Sequence, residues 1–299
     1  MTVPFEIVIE RIAAAVGEKA CDNLEIASPE VVAATGFAER RLSEKPLFEL
    51  AHSAASAALD GCGGKISAVI GATFSNEVRF PALSIRIASA LGIDGPIPAF
   101  DLQMACSAYP YALLAAGQLA AAGGGKVLVV DGDVQSRFAA DNATAVVASD
   151  ACTASVVSAR AGTSRFAFYS GYGEQLKCTE KLEMDGFGVF SFVASTVRSM
   201  IAGLLAEGDE TPRWFVPHQA NMYMVRQLAG SVGLGERLLT GGGKYGNVGS
   251  ASVPLTLAAA DGAGTALRAE RVLVAGFGAG LSAAAGFVRM SENFTSTII

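Results

Sequence analysis

A cysteine, a histidine and an asparagine, far apart in the chain, occupy the segments best suited to acyl-transfer chemistry. Cys106 lies in Asp101-Leu-Gln-Met-Ala-Cys-Ser-Ala, between a strand-like run and an alanine- and leucine-rich helical run. A thiol there faces the positive end of a helix dipole and is expected to lose its proton more easily. His218, one of two histidines, follows the apolar run Trp214-Phe-Val-Pro, at a strand end where α/β folds place functional groups. Asn247 stands among glycines in Gly241-Gly-Gly-Lys-Tyr-Gly-Asn-Val-Gly-Ser, at the start of a second small-residue helix and as the counterpart of Cys106. A thiolate exchanges acyl groups with a thioester at nearly neutral energy, so an acyl-Cys106 can form readily. His218 and Asn247 can then donate hydrogen bonds to an oxyanion on a second thioester. A carboxylate in place of Asn247 would favour a histidine base; its absence favours donation. His52, inside Leu47-Phe-Glu-Leu-Ala-His-Ser-Ala, reads as an ordinary helix residue, and Cys152 as packing.

A fourth segment, Gly276-Phe-Gly-Ala-Gly-Leu-Ser, follows the strand-like run Arg271 to Ala275. It does not complete the GxGxxG pattern of a dinucleotide site. Its closely spaced backbone N–H groups suit an oxyanion hole instead.

The elements that must position these groups are written twice. Lys126-Val-Leu-Val-Val-Asp-Gly-Asp resembles Arg271-Val-Leu-Val-Ala-Gly-Phe-Gly, and Ser67-Ala-Val-Ile-Gly-Ala can be laid against Trp214-Phe-Val-Pro-His-Gln at nearly the same offset. Two related halves follow, expected at residues 1–160, carrying the cysteine, and 161–299, carrying the histidine and asparagine. Strands alternating with helices predict an α/β fold with mixed sheets buried on both faces. Helices are predicted over 107–122, 187–205, 222–232 and 250–260, and Val127 to Val130 as a central strand.

Composition narrows the classes. Of 299 residues 51% are apolar and only 17% charged, which excludes disorder and favours a large buried interface beside the core. The net charge of -6, without a basic run, argues against a nucleic-acid partner. No membrane span or secretory leader is expected, and the five cysteines, none in CxxC spacing, imply neither a disulfide framework nor a zinc site. A cytoplasmic location is expected.

With Phe80-Pro81, Ala99-Phe-Asp-Leu, Val216-Pro-His-Gln-Ala-Asn, Gly246-Asn-Val-Gly-Ser-Ala-Ser-Val-Pro and Gly276-Phe-Gly-Ala-Gly in this order, the chain resembles the 3-oxoacyl-(acyl carrier protein) synthase III family. The resemblance implies a thiolase-like fold, two pseudo-duplicated halves in an αβαβα layering. It implies that Cys106 takes an acyl group from a starter thioester. A malonyl group on acyl carrier protein then loses carbon dioxide, and His218 and Asn247 hold the enolate that attacks acyl-Cys106. Backbone N–H groups of Cys106 and of the Gly278-Ala279-Gly280 turn would bind the oxyanion. Phe80 would reach a partner subunit's acyl pocket in a homodimer, with a heterodimer as the alternative. Thr35, Asn221 and Phe187 would line the substrate path. No metal or redox cofactor is implied.

Departures from the family pattern point toward specialised metabolism. Glu30 and Ala34 stand where the family carries a tryptophan and an arginine for coenzyme A. Tyr223 replaces another arginine, and Phe187 an asparagine. Losing cations and a stacking platform weakens a nucleotide site, so acyl-coenzyme A is a less favoured donor than carrier protein. The stretch from Gly171 to Phe187 is short for an active-site cover, leaving the entrance more open or covered by another subunit. Two other functions stay open at this point. One is transfer from acyl-Cys106 to an amine, hydroxyl or thiol without decarboxylation. The other is a structural subunit of a heteromeric complex.

Overall fold

The repeated runs occupy the same place in two sets of strands. The computed structural model describes residues 1–93, 95–139, 141–208 and 210–299. The first set comprises β1 (Glu6–Val16), β2 (Ile66–Ala72), β3 (Ala99–Leu102), β4 (Lys126–Val134) and β5 (Asp150–Arg160), in the spatial order β3-β2-β4-β5-β1. The second comprises β6 (Ser164–Gly173), β7 (Trp214–Pro217), β8 (Arg271–Gly278) and β9 (Gly280–Ile298), in the order β7-β8-β9-β6. An isolated parallel bridge between Phe215 and Leu238 stands where the second set would carry its outer strand. Directions repeat as well: β2 and β4 pair in parallel like β7 and β8, and the following two pairings in each set are antiparallel. The end of β9 continues past its own set, and Thr295 to Ile298 pair in parallel with Arg11 to Ala14 of β1. The result is one curled mixed sheet.

Six helices complete the layers: α1 (Leu47–Leu59), α2 (Leu83–Ala90), α3 (Ala108–Gly123), α4 (Gly186–Ala206), α5 (Met222–Ser231) and α6 (Ser252–Gly262). Successive strand residues point to opposite faces, and the apolar runs fill both. In β4, Val127 and Val129 join the central cluster with α3 and α6, while Leu128 and Val130 face the cluster holding α1 and α2. In β8, Val272 and Val274 face the same central cluster, and Leu273, Ala275 and Phe277 face α4 and α5. The same alternation in both strands builds five layers, with α3 and α6 in the middle. Each fully buried Val or Leu contributes about 1.5–3 kcal/mol, so a one-residue register slip in either strand is strongly disfavoured.

A helix packed between the two strand sets of the curled sheet is apolar all round, which explains the Ala-rich sequences of α3 and α6. Close approach goes with this: a Cβ on Gly117 of α3 would stand 2.6 Å from Ile7 Cγ1. α4 contains a π-helical turn at Val193–Val197 and is long and apolar enough to cross a membrane by length and composition. In this fold Val189, Phe192, Val193, Val197, Ile201 and Leu204 instead pack against β8 and β9. His52 is an α1 residue stacked on Phe48, and Cys152 is a buried core residue of β5, both as expected.

Candidate active site

Each half supplies a short 3-10 turn that leads into its middle-layer helix. Ala105–Ser107 precedes α3, and Gly249–Ala251 precedes α6. The helices then carry proline at the same position, Pro110 and Pro254. With Ala108 and Ser252 aligned, Cys106 falls on Ser250, and Asn247 falls on Gln103. The sequence-based pairing of Asn247 with Cys106 is therefore shifted by three residues. Ser250 is buried, whereas Cys106 and Asn247 both line a cavity of about 560 Å³ together with His218.

Cys106 is held by its backbone and by close neighbours. Ala105 has φ +44°, an uncommon region for a residue with a Cβ, and Ser107 Oγ lies 2.8 Å from Met104 O and 2.7 Å from Ser282 Oγ. Ser282 Oγ in turn donates to Ala279 O at 2.6 Å, so the Cys106 turn and the glycine-rich turn are tied together. Glycine is required where they meet. A Cβ at Gly276 would lie 2.8 Å from Cys106 O, and one at Gly278, where φ is +157°, 3.1 Å from Cys106 Cβ. Gly278, Ala279 and Gly280 line the cavity beside the thiol.

The thiol is not an easily ionised one. Burial and the carboxylate of Asp133 push Cys106 up to about 12, against the sequence-based expectation of a lowered value. At pH 7 a thiol at that value is ionised in about one molecule in 10⁵. A base must take its proton if it is to attack.

His218 sits at the end of β7, buried, its ring edge-on to Phe277 with centroids 5.5 Å apart. Ser252 Oγ donates to Gly249 O at 2.6 Å, which uses its only proton. His218 Nδ1, 2.6 Å from the same oxygen, must then be the donor. Nε2 is left with a lone pair, and desolvation pulls the ring down to about 4, so the imidazole is neutral near pH 7. This geometry favours proton acceptance, where the sequence suggested donation. Asn247 is held through its oxygen. Its Oδ1 accepts from Gly249 N at 3.0 Å, which leaves the amide N–H groups available. Its backbone is clamped by Asn247 N to Val147 O at 2.8 Å and Ser149 N to Asn247 O at 3.0 Å.

Of the other sequence-predicted residues, Asn221 lines the cavity and caps α5 by accepting from Met224 N at 2.7 Å. Thr35, Phe80 and Phe187 do not line it. Thr35 closes the helix Pro29–Thr35 through its bond to Val32 O, and Phe80 and Phe187 are 85% and 83% exposed. Phe187 adjoins Gly186 at the cavity rim. The short stretch before α4 folds as a hairpin, Leu176–Cys178 against Leu182–Met184, whose residues Leu176, Cys178, Leu182 and Met184 form part of the cavity wall. Sequence reasoning missed Ser252, which fixes the histidine ring, Gln135, which lines the cavity just after β4, and Asp133, buried near the end of that strand.

Comparisons with known proteins point to one family. Residues 100–171 match the family described as 3-oxoacyl-[acyl-carrier-protein (ACP)] synthase III, and residues 209–290 match its C-terminal counterpart. A β-ketoacyl-[acyl-carrier-protein] synthase III of Thiobacillus denitrificans is 30% identical over 287 residues, covering 87% of this chain and 89% of the relative. The crystal structure of a 3-oxoacyl-(acyl-carrier protein) synthase from Burkholderia xenovorans superimposes with a TM-score of 0.92 at 25% identity, covering all of this chain and 98% of the other. The priming β-ketosynthase of the R1128 polyketide biosynthetic pathway gives 0.88 at 26% identity, covering 97% and 98%.

Proposed function

The chain belongs to the 3-oxoacyl-[acyl-carrier-protein] synthase III family, and from that membership we propose that it condenses an acyl starter, carried on Cys106, with a malonyl-type thioester on acyl carrier protein. The observation that carries the proposal is the convergence of Cys106, His218 and Asn247 on one cavity, with the Gly278–Gly280 turn against the thiol. In the loading step His218 Nε2 takes the Cys106 proton as sulfur attacks the starter's thioester carbonyl. The bond to the carrier thiol breaks, and that thiol leaves with the proton from His218.

In the second step the malonyl carbon–carboxylate bond breaks and carbon dioxide leaves. The electron pair forms an enolate whose oxygen accepts from the Asn247 amide. The enolate carbon attacks the acyl-Cys106 carbonyl, and the tetrahedral oxyanion accepts from the backbone N–H groups of Cys106 and the Gly278-Ala279 segment. Collapse expels the Cys106 thiolate, which is reprotonated from solvent through His218. The exposed apolar ring of Phe80 is the proposed contact with a second copy. The replacements Glu30, Ala34 and Tyr223 support a carrier-protein donor and a role in specialised metabolism.

Release of labelled carbon dioxide from carboxyl-labelled malonyl carrier protein, dependent on both a starter thioester and Cys106, is the test. Stoichiometric release with 3-oxoacyl product is expected. Acyl loading with transfer to an amine, hydroxyl or thiol, and no carbon dioxide, would replace condensation by simple acyl transfer.

A further inference from the structure

Asn247 is placed by a support outside its own turn. Residues 145–149 run beside that turn and are bonded along both edges. On the inner edge, Val147 O accepts from Asn247 N at 2.8 Å, and Ser149 N donates to Asn247 O at 3.0 Å. A Cβ on Gly246, where φ is +65°, would lie 2.9 Å from Ser149 Cβ, so the two segments are in close contact. On the outer edge the same residues meet the short strand Glu39–Leu42, which pairs with Lys19–Asp22. Arg40 Nη1 donates to Ala145 O at 3.0 Å. Asn23 Nδ2 donates to Val146 O at 2.8 Å and to Phe37 O at 2.9 Å, and its Oδ1 accepts from Arg40 Nε. Ser149 Oγ accepts from Arg41 N at 2.7 Å and donates to Arg41 O at 3.0 Å.

Arg40, Asn23 and Ser149 are buried, and none of the three lines the cavity. Arg40 takes part in no ion pair among the described residues. A buried cation with neutral partners alone carries a desolvation cost that an apolar side chain would not. What the guanidinium adds is direction, because its planar fork fixes Asn23 Oδ1 and Ala145 O relative to each other. The Cys106 turn is braced elsewhere, by Ser282 and the close approach of Gly276 and Gly278. A shift of residues 145–149 therefore moves Asn247 against the thiol.

We propose that Arg40 and Ser149 are positioning residues for Asn247, holding its amide, through residues 145–149, where the enolate oxygen forms. This rests on the assignment of Asn247 to the condensation step. Stabilisation of an enolate by a fixed donor depends on alignment, and a misplacement of about 1 Å can cost about 10²-fold.

The test is single-turnover measurement of acyl loading and of carbon dioxide release, as separate steps, in Arg40→Met and in Ser149→Ala. Condensation is expected to fall by about tenfold in each, while loading changes by less than about twofold. Arg40→Lys keeps the charge without the fork and is expected to behave as Arg40→Met does. In an Asn247→Ala background neither substitution is expected to lower condensation further, because the amide through which both act is gone. A merely structural role would lower both steps together and would add to the effect of Asn247→Ala. Either of those results, or unchanged condensation in the folded variants, overturns the inference while condensation by the unaltered protein stands. If Arg40→Met does not fold, Ser149→Ala, which loses one hydroxyl, decides alone. No condensation by the unaltered protein overturns the inference and the proposed function together.

Discussion

The two turns that open the middle-layer helices are built alike and do different work. Before α3, the 3-10 turn exposes a thiol to the cavity. Before α6, the equivalent position is Ser250, which is buried and lies 3.5 Å from Ala72 O. The second turn serves the site through residues on either side of that position. Asn247 offers an amide, Gly249 offers a carbonyl that claims the proton of Ser252, and Ser252 orients the His218 ring. A duplicated scaffold therefore places the proposed nucleophile in one half and the hydrogen-bonding groups in the other, around one cavity. The difference between the turns lies in which side chain reaches the cavity, not in backbone architecture.

The comparison breaks most completely at the nucleophile. Cys106→Ser is expected to lower loading by at least about 10³-fold, and Cys106→Ala combined with Ser250→Cys is expected to recover no acyl adduct, because that position faces Ala72. Recovery of an adduct would mean that the second turn is a latent nucleophile site. Asn247→Ala is expected to lower condensation by about 10²-fold while loading persists, since the amide is assigned to the enolate only. Single-turnover measurement of the two steps separates these outcomes.

Ser252→Ala frees the His218 ring and is expected to slow loading by roughly tenfold. The pH profile sharpens the same point. His218, held near 4 by burial, is unprotonated above that value, so loading through it falls as pH drops through about 4 and stays level through neutrality. A thiol held near 12 adds no inflection below pH 9. A loading rate that rises tenfold per pH unit from 6 to 9 would mean that free thiolate, not the histidine, controls attack.

The smallest effect concerns a carboxyl one turn of the pleat away from the site. Asp131 is buried with Oδ2 unpartnered, and desolvation raises it to about 8. A folded-state value above the unfolded one makes the carboxyl costless below about pH 4, and increasingly costly as pH rises toward 8. Asp131→Asn is therefore expected to gain about 1–3 kcal/mol at pH 8 and to lose that gain near pH 4, measured by urea unfolding at both values.

Much of this was legible in the sequence because it is written in local patterns. The runs of β4 and β8 announce strands buried on both faces, and the small-residue runs after Cys106 and Asn247 announce helices caught between sheets. Cys106, His218 and Asn247 stand out by residue type at strand and helix ends. What stayed hidden depends on contacts between distant segments. The raised thiol comes from burial and from Asp133 on β4. The histidine's proton is placed by Ser252, 34 residues later. Gln135 reads as one more polar residue after a strand, and only folding brings it against Gly249. The resemblance assigns Thr35 and Phe187 to the substrate path and Phe80 to a partner's pocket, and a resemblance of motifs does not determine the direction a side chain faces.

The central claim is that Cys106 is the acyl carrier of this protein. Its most direct measurement is the intact mass of the protein, and of Cys106→Ala, after incubation with a panel of acyl-carrier-protein and acyl-coenzyme A thioesters. The account predicts a mass increase of one acyl group, absent from the variant and mapped to the peptide containing Cys106. An adduct that persists in Cys106→Ala, or no adduct from any donor, would contradict it.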